Sequence, residues 1–226
     1  MNQQVKQNTQ TIQQSIVQGD CIQVMQSWPA NSVNFILTDP PYLVNYRDRT
    51  GRSIANDIDG KWLPAAFSEM YRLLEPNRFC VSFYGWSRTD LFFQAWRAAG
   101  FRVVGHLTFP KRYTSKTSFV RYQHEGAYLL AKGHPETPEY VIGDVLDWTY
   151  SGNKLHPTQK PLGVLLPLIK SFSKPGDMVL DPFAGSGSTC VAAKAVGRQY
   201  LGIELDKNYH RIGNERLQKS TGLMSD

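Results

Sequence analysis

The stretch Thr38-Asp39-Pro40-Pro41-Tyr42 sets a carboxylate and an aromatic ring on either side of two prolines. Prolines lack an N–H and fix φ, so they stiffen the backbone between Asp39 and Tyr42. The Asp39 carboxylate accepts from one N–H, the Pro40 carbonyl from another, and Tyr42 offers a flat face. Those parts suit a planar group that carries an exocyclic amine. Taken alone, the same residues also describe a tight turn with a capping Asp. A second stretch, Asp181-Pro182-Phe183-Ala184-Gly185-Ser186-Gly187-Ser188-Thr189, is glycine-rich. Glycines let backbone approach a ligand closely at the start of a helix. No Lys follows Gly187, so the loop lacks the phosphate-binding side chain of a P-loop. The dinucleotide fingerprint is incomplete too, since Gly185-x-Gly187 continues to Cys190. A nucleoside without phosphate is the remaining ligand, and Glu204 is well placed to accept from ribose hydroxyls. An amine site beside a nucleoside site points to transfer from an adenosyl cofactor to that amine.

The elements that must position these residues read as alternating strands and helices. Val33–Leu37 is a short apolar run that predicts a buried parallel strand ending at Asp39. Open α/β sheets place ligands at that C-terminal edge. Ser15–Gln18 reads as a strand ending at Gly19-Asp20, with Asp20 able to cap a short helix Cys21–Trp28. Leu43–Gly60 is polar and aperiodic, the mark of a mobile or functional loop. Apolar residues recur at helical spacing from Trp62 to Leu74, and Pro76-Asn77 should stop that helix before strand Phe79–Phe83. A second amphipathic helix, Leu91–Ala99, closes at Gly100. Strands Phe101–Phe109 and Ala127–Ala131 have no helix between them, so they should pair antiparallel at an edge of the sheet. A short strand is expected near Tyr140-Val141-Ile142. Leu162–Phe172 is an apolar helix, Met178–Leu180 a strand feeding the glycine loop, and Thr189–Val196 the helix after it. Strand Gln199–Ile203 carries Glu204 at its end, and a last helix runs from about Asp206 to Lys219.

At 226 residues the chain suits one domain, residues 15–219, between tails 1–14 and 220–226. The first tail is rich in Gln, Asn and Thr and reads as disordered. No run is apolar enough to span a bilayer, and the layout of a signal peptide is missing. Cys21, Cys80 and Cys190 fit neither a disulfide framework nor a metal pattern, which suits free thiols in a reducing cytoplasm. The net charge is +6. From Leu91 to His124 there is no acidic residue, while Arg97, Arg102, Lys111, Arg112, Lys116 and Arg121 all fall there. This is either a solvated basic face or a surface for a polyanion.

The chain resembles the S-adenosylmethionine-dependent amino-methyltransferases of DNA, which modify adenine N6 or cytosine N4. Asp39-Pro40-Pro41-Tyr42 matches their catalytic motif and Asp181–Gly187 their cofactor motif. Finding the catalytic motif first is similar to the permuted β group. Gly19-Asp20, His124-Glu125 and His156–Pro161 are supporting matches, and the resemblance spans Ile16 to Leu217. It implies a Rossmann-like α/β fold: a seven-stranded, mostly parallel sheet with one antiparallel strand and helices on both faces. It implies catalytic roles for Asp39, Pro40, Pro41 and Tyr42, the last stacking on a flipped base. S-adenosyl-L-methionine would be held by Asp181, Phe183, Gly185, Gly187 and Glu204. Lys160 and Thr158 would reach its carboxylate, and Asp20 its adenine, with capping an equal role for Asp20. Phe109 stands where the family often has Trp, so no role is carried to it. No separate recognition domain is expected after the cofactor half. Loops at about 43–60 and 110–122 would therefore read double-stranded DNA, with Lys111, Arg112, Lys116 and Arg121 on its backbone. Homodimers are common in the family. Asp rather than Ser at position 39 leans towards adenine N6. Cytosine N4, RNA or a protein amide are the alternative substrates, and an inactive nucleic-acid-binding relative is the alternative outside enzymes.

Overall fold

Strand β2 (Val33–Thr38) is buried on both faces. Ile36 packs into one layer of helices, Phe35 and Leu37 into the other. A near-continuous apolar run is what a strand covered on both sides requires. The computed structural model describes residues 14–47, 51, 53–114, 116–148 and 159–220, so the expectations for His156 and Thr158 lie outside the described residues. Beside β2 stand β1 (Ser15–Gln18), β3 (Leu74–Phe83), β4 (Arg102–Pro110), β7 (His124–Lys132), β8 (Met178–Asp181) and β9 (Gln199–Glu204). They form one seven-stranded sheet of order β1-β9-β8-β2-β3-β7-β4. A separate two-stranded ribbon pairs β5 (Lys116–Thr117) with β6 (Arg121–Tyr122). Helices α1 (Cys21–Gln26), α2 (Leu63–Leu73) and α3 (Thr89–Ala99) cover one face of the sheet. On the other lie α4 (Leu162–Phe172) and α5 (Ser188–Ala195). Leu217 of α6 (Lys207–Lys219) packs with Ile16 of β1.

The fold is the expected one, with two local corrections. The antiparallel pair β4–β7 stands at one edge of the sheet as expected, with the reversed strand β7 on its inner side. β7 pairs antiparallel with both β3 and β4, filling the one-strand gap that the α3 crossover leaves between them. Helix α2 stops at Leu73, before Pro76-Asn77, and β3 starts at once. Val33 pairs with Leu74 and Phe35 with Phe79, and the register shift between those pairs absorbs Pro76 and Asn77 as a bulge. Residues 140–142 form no strand. The outer side of β4 is met instead by a single bridge from Thr108 to Val145, and Tyr140 and Val141 stay exposed. Among the described residues no helix is long and apolar enough to cross a membrane.

What matters for the site is the order of neighbours. β1, β9, β8 and β2 are adjacent and parallel. Their C-terminal ends therefore bring Asp20, Glu204, Asp181 and Asp39 to one edge of the sheet. From β8 the chain moves on to β9 on one side, and from β2 to β3 on the other. That reversal opens a crevice between β8 and β2, the place where such sheets bind ligands.

Candidate active site

After β2 the two prolines turn the chain so that the Tyr42 hydroxyl comes back onto Asp39, donating to Oδ1 at 2.8 Å. Gly85 makes room for this turn, because a Cβ there would sit 2.4 Å from the Tyr42 carbonyl oxygen. Leu43, next in line, adopts a left-handed φ of 62°, a costly region for a branched side chain. Buried Asp57 holds it there. One carboxylate oxygen accepts from the N–H groups of Leu43 and Val44, and the other from Tyr46 at 2.6 Å. The described part of the loop following Tyr42 is thus pinned, and Asp57 is the pin.

Around the bracket lies a ladder of alternating charge. Lys160 Nζ donates to Asp39 Oδ2 at 2.7 Å and to the Tyr42 hydroxyl at 3.1 Å. Glu125 Oε2 is 3.8 Å from the same ammonium, and Glu125 Oε1 accepts from Lys111 Nζ at 2.6 Å. All four charged side chains are largely shielded from solvent. Burial alone would pull Lys160 down, but the carboxylates of Asp39 and Glu125 outweigh it and hold it above the ordinary lysine range. Burial pushes Asp39 up, and Lys160 only partly offsets this. For Glu125 burial also pushes up, yet Lys160 and Lys111 together win and leave its carboxyl below the usual range. Burial and the two carboxylates keep the Tyr42 phenol protonated.

The glycine loop supplies the other half. Gly185, at φ 52°, donates its N–H to Glu204 Oε2 at 2.8 Å, while Asp206 N–H meets Glu204 Oε1 at 2.7 Å. The Glu204 carboxylate is thereby fixed at the end of β9. Gly187 has a different task. It does not line the cavity; a Cβ on it would lie 2.9 Å from Ile16 Cδ1, so it lets the start of α5 close on β1. Asp20 caps α1, accepting from Ile22 and Gln23 N–H, and also borders the cavity.

A cavity of about 290 Å³ joins the two halves, bounded by Asp39, Pro40 and Tyr42 and equally by Phe183, Gly185 and Glu204. Among the described residues its walls carry six acidic side chains (Asp20, Asp39, Asp57, Asp181, Glu204 and Asp206) against one basic, Lys160. Such a wall repels phosphate and suits a nucleoside bearing positive charge.

Asp181, one of these acids, is 3% exposed, and its Oδ1 accepts from Phe183 N–H at 3.1 Å. Burial pushes its carboxyl from an ordinary 3.8 up to about 7. A proton held more tightly in the folded chain favours folding at low pH. That advantage, about 4 kcal/mol, drains away as pH rises from the unfolded value through 7. Asp181→Asn keeps the shape without the charge. Calorimetry should show it melting about 5 °C or more above the parent at pH 8, with little difference at pH 4. A gap that fails to widen with pH would exclude this account of Asp181.

A model of the DNA methylase family (N6_N4_Mtase) matches residues 33–215. The chain belongs to this DNA methylase family. YubD of Escherichia coli (strain K12), a methylase by name, is 60% identical over 201 residues, spanning 89% of this chain and 88% of that one. Among solved structures, the M1.HpyAVI–SAM complex gives a TM-score of 0.72 at 25% identity, covering 90% of this chain and 98% of that one. The cytosine-N4-specific PvuII DNA methyltransferase shares the fold, with a TM-score of 0.76 at 16% identity over 94% of this chain and 92% of that one. The methylase is thus a DNA methyltransferase, and its neighbour M1.HpyAVI forms a complex with SAM. The methylase's acidic cavity and fixed Glu204 suit a cationic nucleoside of that kind.

Two lysines of the methylase have ion-pair partners that the sequence did not indicate. Lys111, read as a DNA-backbone contact, turns inward onto Glu125 and lies 5.0 Å from the centre of the Trp148 ring. Placing it on phosphate would take from Glu125 its nearer cation and leave it Lys160 at 3.8 Å. Lys160, read as a partner of the cofactor's carboxylate, is bound to Asp39. Arg112 and Arg121 are exposed as expected. Lys116 belongs to β5. Sequence reasoning gave Glu125 no role in the site. Its signals were the supporting match of His124-Glu125 and its position as the first acidic residue after a long basic stretch.

Proposed function

We propose that the methylase modifies the N6 amine of adenine in double-stranded DNA, the base being turned out of the duplex into the cavity beside Tyr42. The observation that carries this reading is a single cavity bounded by both Asp39 and Glu204. S-adenosylmethionine supplies an electrophilic methyl group on a sulfonium sulfur. A nucleobase amine is a poor nucleophile because its lone pair is delocalised into the ring. Asp39 and the Pro40 carbonyl accept from its two N–H groups, which favours a pyramidal nitrogen and stabilises the charge growing there. Asp39 keeps acceptor capacity for this task, since a carboxylate has about four lone-pair sites and Tyr42 and Lys160 take one on each oxygen. Stacking on Tyr42 returns about 1–3 kcal/mol, comparable with the few kcal/mol of extrusion. Asp39 acts as an acceptor that shapes the amine, and the proton leaves once the nitrogen is cationic. On the cofactor side Glu204 takes the ribose hydroxyls, Phe183 and Gly185 border the pocket, and Asp20 meets the adenine while capping α1. The loops at about 43–60 and 110–122 read the duplex, with Arg112 and Arg121 on phosphates. The order of motifs supports the β group.

Asp at the head of the bracket supports adenine. The fold shared with a cytosine-N4 enzyme supports cytosine N4 as the second reading. Incubation with methyl-labelled cofactor and unmethylated DNA, followed by nucleoside analysis, separates them. Label in N6-methyladenine is expected. Label only in N4-methylcytosine rejects the base assignment.

A further inference from the structure

Phe119 is fully exposed, at 101% of its reference area, with Val120 beside it at 58%. No other large apolar side chain among the described residues is as exposed. The two sit at the tip of the β5–β6 ribbon, where Ser118 N–H donates to Val120 O at 3.1 Å. Pairs Lys116–Tyr122 and Thr117–Arg121 form the ribbon's stem. Two contacts tie its root to the bracket. Tyr122 stacks on Trp86 at 5.3 Å and 21°, and Trp86 follows the Gly85 that accommodates Tyr42. Lys111 N–H donates to Gln123 O at 2.7 Å, while the Lys111 ammonium holds Glu125, whose Oε2 is 3.1 Å from the Tyr42 hydroxyl.

Phe119 and Val120 together form a small apolar patch at the end of a braced arm, the kind of feature that can mark an interaction site. Phe119 lies four residues from Gln123, so it reaches within about 14 Å of that anchor. That reach is comparable with the ~12 Å width of a major groove. The arm carries exposed Arg112 and Arg121 and no acidic residue, which suits a phosphate backbone. When a base leaves the stack, its neighbours lose their contacts, and apolar side chains such as Phe are known to wedge between base steps.

We infer that Phe119 is a wedge that occupies the gap left in DNA by the extruded base. This rests on the proposed function above and names the duplex as the occupant of this exposed tip. The alternative occupant is a second copy of the chain.

The test uses duplexes spanning the methylation site, with the target adenine either paired normally or placed opposite an abasic position. Extrusion from the second duplex costs little, so a wedge has little to contribute there. Phe119→Ala is expected to lower kcat/KM about tenfold or more on the paired duplex and less than about twofold on the other, with Phe119→Trp restoring the paired rate. An equal loss on both duplexes, or no loss on either, overturns the wedge while wild-type activity leaves the proposed function standing. A variant that turns a dimer into a monomer in sedimentation overturns it in favour of self-association. Wild-type protein inactive on both duplexes overturns the adenine reading and the wedge with it.

Discussion

Asp39→Ala is expected to lower kcat about 10²–10³-fold while S-adenosylmethionine binds within about twofold of its parent affinity. The split follows from placement. Asp39 ends β2 and faces the amine half of the cavity, whereas Glu204 and Gly185 end or follow other strands and are bonded to each other. On the proposed mechanism, removing the carboxylate deletes the acceptor that stabilises the growing charge on nitrogen. It leaves the cofactor half untouched. Folding should survive, because Lys160 retains Glu125 at 3.8 Å as a counter-charge. Asp39→Asn keeps one neutral acceptor oxygen and should fall between parent and alanine. Single-turnover methylation together with calorimetric cofactor titration would measure both quantities. A variant that lost affinity and rate in the same proportion would move Asp39 into the cofactor site.

The second large effect is on stability. Lys160→Met removes the cation that stands between Asp39 and Glu125, leaving Asp39 buried with no positive partner among its described contacts. Breaking a buried pair from one side costs about 3–5 kcal/mol. For a chain of this size that is a fall in Tm of about 10 °C. The deficit should shrink in acid, since burial already raises Asp39 and a proton there relieves the uncompensated charge. Glu125 keeps Lys111 at 2.6 Å, so the double variant Lys160→Met, Asp39→Asn should recover most of the loss. Thermal melts of the parent, both singles and the double complete the cycle. If Lys160→Met melts with the parent at pH 8, the ladder contributes nothing to the fold.

Much of this site was legible in the sequence because its key residues sit at strand ends. A short, apolar, β-branched-rich run in Val33–Leu37 marked a strand, two prolines marked its end, and Asp39 and Tyr42 had to lie at the edge of the sheet. Glu204 was legible for the same reason, one strand after the glycine loop. The ladder was not. Lys160 and Asp39 are 121 residues apart, and no local spacing records a contact formed only when β2 and the segment before α4 meet. Asp57 was one acid among several in an aperiodic loop, and only its three backbone partners distinguish it. Gly187 read as a ligand glycine because local sequence cannot tell close approach to a ligand from close approach to Ile16. The strand expected at residues 140–142 failed for a related reason. A β-branched run predicts a strand only if a sheet edge receives it, and β4 is met by Val145 instead.

The central claim is that Asp39 presents an adenine amine to the cofactor held by the glycine loop and Glu204. Its most direct test is to read modified bases by sequencing DNA from cells that express the protein, beside DNA from cells that express Asp39→Ala. The account predicts N6-methyladenine at one recurring sequence in the first and none in the second. N4-methylcytosine at that sequence, no new modification at all, or methylation that persists in the variant would contradict it.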